Sequence, residues 1–170
     1  MKKALIIIDM QKDFVDGALA NVDAQAIVTP IAEYVANFDG DIIATRDTHG
    51  KDYLSSPEGA KLPVPHCIKD TDGWQIVPEI LSAITKRNGV ILDKPTFGYL
   101  GWELSAYDEV ELVGTCTDIC VVSNALILKA KFPALIVKVN ANLCAGTSKE
   151  NHLAALQTMR MCQCEVLDCA

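Results

Sequence analysis

Six short β-rich runs, most of them apolar almost from end to end, recur along the chain with helix-patterned stretches between most of them. This alternation restricts the fold more than any other feature. The runs are "ALIIID" (residues 4–9), "DIIAT" (41–45), "GVILD" (89–93), "EVELVG" (109–114), "ALIVKVN" (134–140) and "CEVLD" (164–168). Their unbroken apolar character marks strands covered on both faces. Helical periodicity occupies residues 24–37, 77–86, 118–131 and 149–161, the last with a capping box formed by Thr147 and Glu150. Strand and helix alternating in this way predict an α/β fold of three α/β/α layers. Its core is a six-stranded, mostly parallel, Rossmann-like sheet with helices on both faces. A chain of 170 residues buries about 70% of its unfolded surface in one core, and no linker or repeat divides it. Residues 1–170 therefore read as a single domain.

Composition narrows the partners. The net charge is −7, and the lysines and arginines are scattered rather than gathered into a basic stripe. Nucleic acid is thereby excluded as an expected partner, and small molecules are favoured. The apolar run that opens the chain stops at Asp9, short of a signal-peptide core. No apolar stretch approaches the roughly 18–20 residues that span a bilayer, so no membrane partner is expected and the location is read as cytoplasmic. Seven cysteines, an odd number without framework spacing, do not resemble a secreted disulfide scaffold. Cys67 and Cys144 stand alone, and Cys162, Cys164 and Cys169 close the chain; none of these five carries an assigned role.

In open parallel sheets the chemistry sits beyond the carboxyl ends of the strands. There this chain places Asp9, then "RDTH" (residues 46–49), then Lys94, then "TCTDIC" (115–120). Cys120 is expected in the first turn of a helix capped by Thr117, where unpaired amides and the helix dipole favour a thiolate. Most free cysteines are simply small buried hydrophobes. An aspartate and a lysine that end apolar strands form, at minimum, a structural ion pair. If both converge on Cys120, the aspartate can take up and return the thiol proton while the lysine orients it, giving a nucleophile, a base and an orienter.

The long segment 49–73 carries two of the three histidines, and a loop of more than about 15 residues is commonly functional. Asp47 and His49 at a strand end can face one ion, with His66 returning to it through the loop and Glu58 a candidate fourth ligand. Two solvated loop histidines would account equally well for the spacing alone. The third histidine, His152, fits a satisfied group near a helix start.

Three segments, "IIIDMQKDFVDGAL", "DKPTFGYLGWEL" and "GTCTDICVVSNAL", resemble the signatures of the isochorismatase-like cysteine hydrolases, which include nicotinamidases, isochorismatases and N-carbamoylsarcosine amidases. The resemblance runs from Leu5 to about Asp168. It implies Asp9, Lys94 and Cys120 as a catalytic triad, a cis peptide between Thr115 and Cys116, and the amides of Cys116 and Cys120 as an oxyanion hole. By the same resemblance one divalent ion, zinc with iron or manganese as alternatives, sits on Asp47, His49 and His66, and Phe14 and Tyr99 contact a flat substrate. Trp102 suits either the pocket or the core. The implied activity is hydrolysis of a nicotinamide-like amide through a thioester, by a homo-oligomer (dimer or tetramer). Another small amide, a carbamoyl compound or an isochorismate-type substrate is the alternative. Pro63 stands where nicotinamidases often carry a tryptophan, and Trp74 is the candidate replacement. A zinc or redox protein built on Cys116 and Cys120 is the competing class.

Overall fold

The computed structural model describes residues 1–168; Cys169 lies outside them. Six strands form one sheet: β1 (Lys3–Ile8), β2 (Asp41–Asp47), β3 (Val90–Lys94), β4 (Glu109–Thr115), β5 (Ile136–Ala145) and β6 (Glu165–Leu167). Their spatial order is β3-β2-β1-β4-β5-β6, and every pairing is parallel. The sheet is thus wholly rather than mostly parallel.

Strand β1 shows why the apolar runs are continuous. Leu5 and Ile7 share one buried cluster with Ile31 and Val35 of α3 (Val28–Asn37) and with Ile80 and Ile84 of α5 (Pro78–Lys86). Ile6 and Ile8, pointing the other way, share a second cluster with Leu128 of α6 (Val122–Lys131) and with Leu156 and Met159 of α7 (Lys149–Met161). Side chains alternate across a strand, so a strand with a helix layer on each side must be apolar at every position. Each such aliphatic side chain contributes about 1.5–3 kcal/mol on burial.

Several expected boundaries move, each for a local reason. The expected helix over 24–37 starts two residues earlier, where Asn21 caps it by accepting from the amides of Asp23 and Ala24, and divides at Ile27 into α2 (Val22–Ala26) and α3. Strand β5 runs on to Ala145, where Cys144 pairs with Gly114 after a register shift. Helix α7 is capped by Ser148, whose hydroxyl accepts from the Asn151 amide at 3.1 Å, rather than by Thr147. Thr147 instead donates to Asp118. The long segment 49–73 holds a 3-10 turn (Tyr53–Ser55) and a short helix α4 (Pro57–Lys61) capped by Ser56. A further turn of helix, α1 (Lys12–Val15), follows β1 directly.

Candidate active site

Strands β1 and β4 lie side by side at the sheet's centre, and the connections that leave them pass to opposite faces. The crevice beyond their carboxyl ends is where open α/β sheets bind ligands. Two backbone features build it. Asp9, the first residue after β1, has φ 49°, a left-handed conformation that aspartate tolerates better than most residues. Opposite it, Gly114 has φ 116°, and a Cβ there would lie 2.1 Å from the carbonyl oxygen of Ile8. Only glycine lets β4 approach so closely.

Asp9, Lys94 and Cys120 are all buried and meet at this crevice. Lys94 ends β3, two strands from β1, and its long side chain brings Nζ to 2.6 Å from Asp9 Oδ2. Nζ also lies 3.5 Å from Cys120 Sγ, 3.5 Å from Asp47 Oδ1 and 3.1 Å from the Thr96 carbonyl. The other carboxylate oxygen of Asp9 accepts from the Thr45 hydroxyl at 2.7 Å, and that hydroxyl accepts in turn from the Asp9 amide at 3.3 Å. Oδ2 makes no properly directed hydrogen bond among the described residues. Its close approach to Lys94 is a charge contact, and the oxygen keeps a lone pair free for a proton.

The electrostatics revise one expectation. Burial, reinforced by the negative charge of Asp9, pushes the Cys120 thiol well above its ordinary range, and Lys94 only partly offsets this. Burial thus opposes the thiolate expected at a helix start. Cys120 occupies a π turn (Thr117–Val121) ahead of α6, and the turn's N-cap is Cys116 rather than Thr117. The Thr117 hydroxyl pairs instead with His152 Nδ1 at 2.8 Å. Burial also raises the Asp9 carboxyl, against the pull of Lys94. Although burial opposes the charge on Lys94, the attraction of Asp9, Cys120 and Asp47 prevails and its pKa rises. These shifts favour a neutral thiol beside a lysine-paired aspartate of raised basicity. The peptide bond between Thr115 and Cys116 is cis.

A second cluster adjoins the first. One ligand atom from each of Asp47, His49, Glu58 and His66 can be chosen so that all four lie within 4.8 Å of one another. His49 Nε2 is 2.9 Å from Asp47 Oδ2 and 3.7 Å from Glu58 Oε1; His66 Nε2 is 3.7 Å and 3.6 Å from the same two oxygens. Ligands about 2.0–2.1 Å from a tetrahedral ion stand about 3.3 Å apart, so the set fits one first-row divalent ion with little movement. His66 Nδ1 lies 2.8 Å from the Val64 carbonyl, a partner that takes the Nδ1 proton and leaves Nε2 free to ligate. Tyr53, buried, packs edge-on against both imidazoles at 4.8 and 5.0 Å. Although burial alone would raise Asp47, its bond to His49 and the charge of Lys94 hold it below the usual carboxylate range. Neither Cys116 nor Cys120 belongs to the cluster.

The remaining expected residues fall as follows. Phe14 is buried with its ring 5.6 Å from that of His66. Tyr99 lies edge-on to Trp102 at 5.2 Å, and Trp102 is a core residue, 1% exposed. Trp74 shares a buried cluster with Phe14 and Cys67, yet its indole N–H donates to Thr48 and the Arg46 guanidinium covers its ring. Cys162 is exposed and Cys164 buried, on either side of the turn that leads from α7 to β6.

Residues that sequence reasoning passed over complete the frame. Gln11, fully buried, donates to the carbonyls of Asp47 and Trp74 and accepts from the Asp47 amide at 2.7 Å. Thr45 orients Asp9, and it could have been found by parity, since it lies two residues before Asp47 on the same face of β2.

Comparison with known proteins addresses the family and the fold. The isochorismatase domain family matches residues 3–170. The chain is 29% identical over 184 residues to the nicotinamidase/pyrazinamidase of Mycobacterium tuberculosis, covering 97% of this chain and 98% of that relative. The pyrazinamidase/nicotinamidase structure from Streptococcus mutans superposes with a TM-score of 0.83 at 30% identity, covering 98% of this chain and all of that one. The pyrazinamidase of Pyrococcus horikoshii, in complex with zinc, gives a TM-score of 0.80 at 26% identity over 99% of this chain and 100% of that one. A family match running from the first strand through the last, on a sheet whose switch point gathers Asp9, Lys94 and Cys120, makes this chain a member of the isochorismatase family.

Proposed function

We propose that the chain is a cysteine amidohydrolase that converts a nicotinamide-like amide, nicotinamide itself in the leading reading, to its carboxylic acid and ammonia. The observation that carries this is the position of the Lys94 ammonium, 2.6 Å from Asp9 and 3.5 Å from Cys120 Sγ, with all three side chains buried. Similarity to nicotinamidases over the length of the chain supports the substrate class.

Cys120 is the nucleophile. Because its thiol is protonated at rest, Asp9 takes the proton as sulfur attacks the amide carbon, and the carbonyl π electrons move onto oxygen. The backbone amides of Cys116 and Cys120 hold that oxyanion. Collapse breaks the C–N bond, Asp9 returns the proton to the departing nitrogen, and ammonia leaves a thioester. Water, deprotonated by Asp9, then adds to the thioester, and expulsion of the thiol restores the site. Lys94 stays charged throughout and fixes Asp9 between these proton transfers. Asp47, His49, His66 and Glu58 would hold a divalent ion, zinc with iron or manganese as alternatives, which when bound would supply a Lewis-acid anchor for a lone pair of the substrate. Phe14, against His66, is the aromatic wall beside that anchor, and Tyr99 is the second proposed substrate contact.

A second reading, hydrolysis of another small amide or carbamoyl compound, is favoured by Pro63 and by the engagement of Trp74 with Thr48 and Arg46. Both leave a nicotinamidase-type ring clamp incomplete. The same proposal places the enzyme in the cytoplasm as a dimer or tetramer, which light scattering on the purified chain tests for assembly. Among the described residues no helix is long and apolar enough to cross a membrane.

Ammonia release from a panel of nicotinamide, pyrazinamide, aliphatic amides and carbamoyl amino acids decides between the two readings. Cys120→Ala is expected to abolish release from whichever substrate is turned over while the fold is retained. An active alanine variant would refute the nucleophile assignment.

A further inference from the structure

Asn124 lies one turn beyond Cys120 on α6, is completely buried, and uses all four of its hydrogen-bonding positions. Its Oδ1 accepts from the Tyr99 amide at 2.9 Å and from the Trp102 indole N–H at 3.0 Å. Its Nδ2 donates to the Phe97 carbonyl at 3.1 Å and to the Cys120 carbonyl at 2.8 Å. A primary amide offers two donors and two acceptor lone pairs, so this one is saturated.

Three of the four partners belong to the segment that follows Lys94, and the fourth is the carbonyl of Cys120 itself. We infer that Asn124 is a positioning residue: it ties the segment after β3 to the π turn and so sets the distance between Lys94 and the Cys120 sulfur. The link to Lys94 is short. The ammonium donates to the Thr96 carbonyl at 3.1 Å, Phe97 is the next residue, and the exposed Phe97 and Leu100 side chains give this loop little packing of its own. Trp102 anchors the far end of the segment in the core, but the stretch between it and Lys94 is tied to α6 by directed bonds to the Phe97 carbonyl and the Tyr99 amide. A polar side chain in a helix interior among Val121, Ala125 and Leu128 would otherwise be a poor choice, since burying an amide costs free energy unless it is bonded.

The inference rests on the amidohydrolase reading for its kinetic consequence but not for its chemical one, and the test uses both. Asn124→Ala is compared with Leu128→Ala, a buried core truncation on the next turn of the same helix, in intact protein at a temperature where both are folded by circular dichroism. Turnover is followed with nicotinamide. Alkylation of Cys120 by iodoacetamide is followed by mass spectrometry of its peptide. Asn124→Ala is expected to lower kcat by about 10- to 100-fold with KM changed less than about threefold, because misplacement of reacting groups by about an ångström costs that much. Its Cys120 alkylation is expected to slow by roughly fivefold or more, since a displaced Lys94 no longer favours the thiolate. Leu128→Ala should keep kcat per folded molecule within about twofold.

A merely structural asparagine gives the opposite pattern: loosening exposes the sulfur and speeds alkylation. Faster or unchanged alkylation in Asn124→Ala, or an equal kcat loss in Leu128→Ala, overturns the inference. If wild-type protein releases no ammonia from nicotinamide or the wider panel, the functional reading fails and alkylation alone decides the role of Asn124.

Discussion

Lys94 Nζ lies 3.5 Å from Asp47 Oδ1, while the other oxygen of Asp47 lies 2.9 Å from His49. One carboxylate thus serves both halves of the site, facing the proposed metal position with Oδ2 and the lysine that holds Asp9 with Oδ1. Replacing Asp47 by asparagine is expected to remove metal and to lower kcat in protein re-supplied with excess metal. His49→Ala or His66→Ala should act chiefly through metal content. Metal analysis alongside turnover in saturating zinc separates the two effects.

Protein purified without a histidine tag should carry about one divalent ion per chain bound through Asp47, His49, Glu58 and His66. Chelation should lower Tm, because an ion that binds only the folded state stabilises it by mass action. Cys116→Ser should leave the ion in place. Loss of the metal in Cys116→Ser, with retention in His66→Ala, would move the site to the cysteines.

Lys94 neutralises two buried carboxylates, Asp9 and Asp47, from a fully buried position. Lys94→Met leaves them facing one another with no cation between, and removing one partner of a buried ionic group costs about 3–5 kcal/mol. Urea unfolding should show a loss of that order, and turnover should vanish. A metal ion at Asp47 would relieve part of the repulsion, so the loss should be larger after chelation than before it.

The contrast between what the chain announces and what it conceals has a physical origin. The sheet could be read because every strand buried on both faces must be apolar throughout, and a charged residue at the end of such a run, as at Asp9 or Lys94, then stands out. Asp47 and His49 could be read because a short spacing at a strand end keeps two side chains together. Gln11 and Asn124 could not, because most of their partners are backbone groups, which carry no letter, and all but the Cys120 carbonyl lie in segments far away in sequence. Thr147 and Ser148 are both competent caps, and only the carboxylate of Asp118, brought close by the fold, leaves Ser148 to serve α7. Burial, which sequence does not display, pushes the Cys120 thiol upward and so opposes the lowering expected at a helix start.

Gln11→Ala tests the buried frame around Asp47. It deletes the acceptor for the Asp47 amide and the donors to the Asp47 and Trp74 carbonyls. Leaving buried backbone groups unpaired costs about 1–3 kcal/mol each, and loss of support around a ligand typically weakens metal binding about 10- to 100-fold. Calorimetric titration with zinc is expected to show that loss. Unchanged zinc affinity would restrict Gln11 to a role in folding.

His152, which is not among the proposed metal ligands, offers a pH-dependent test. Burial lowers its pKa below the ordinary 6.5, against the pull of Asp118 and Asp23, and its Nδ1 meets the Thr117 hydroxyl in the turn that carries Cys120. A folded-state value below the unfolded one means that the unfolded chain binds the proton first as pH falls. The contribution of the neutral ring is therefore complete above 6.5 and is lost as pH drops from there toward the lower folded-state value. Urea unfolding at pH 7.5 and pH 5.5, both set about one pH unit either side of the free imidazole value, should show a larger loss of stability on acidification for the wild type than for His152→Gln. The glutamine variant keeps a hydrogen-bonding group near Thr117 but cannot titrate, so an identical acid dependence in the two proteins would assign the effect to other groups.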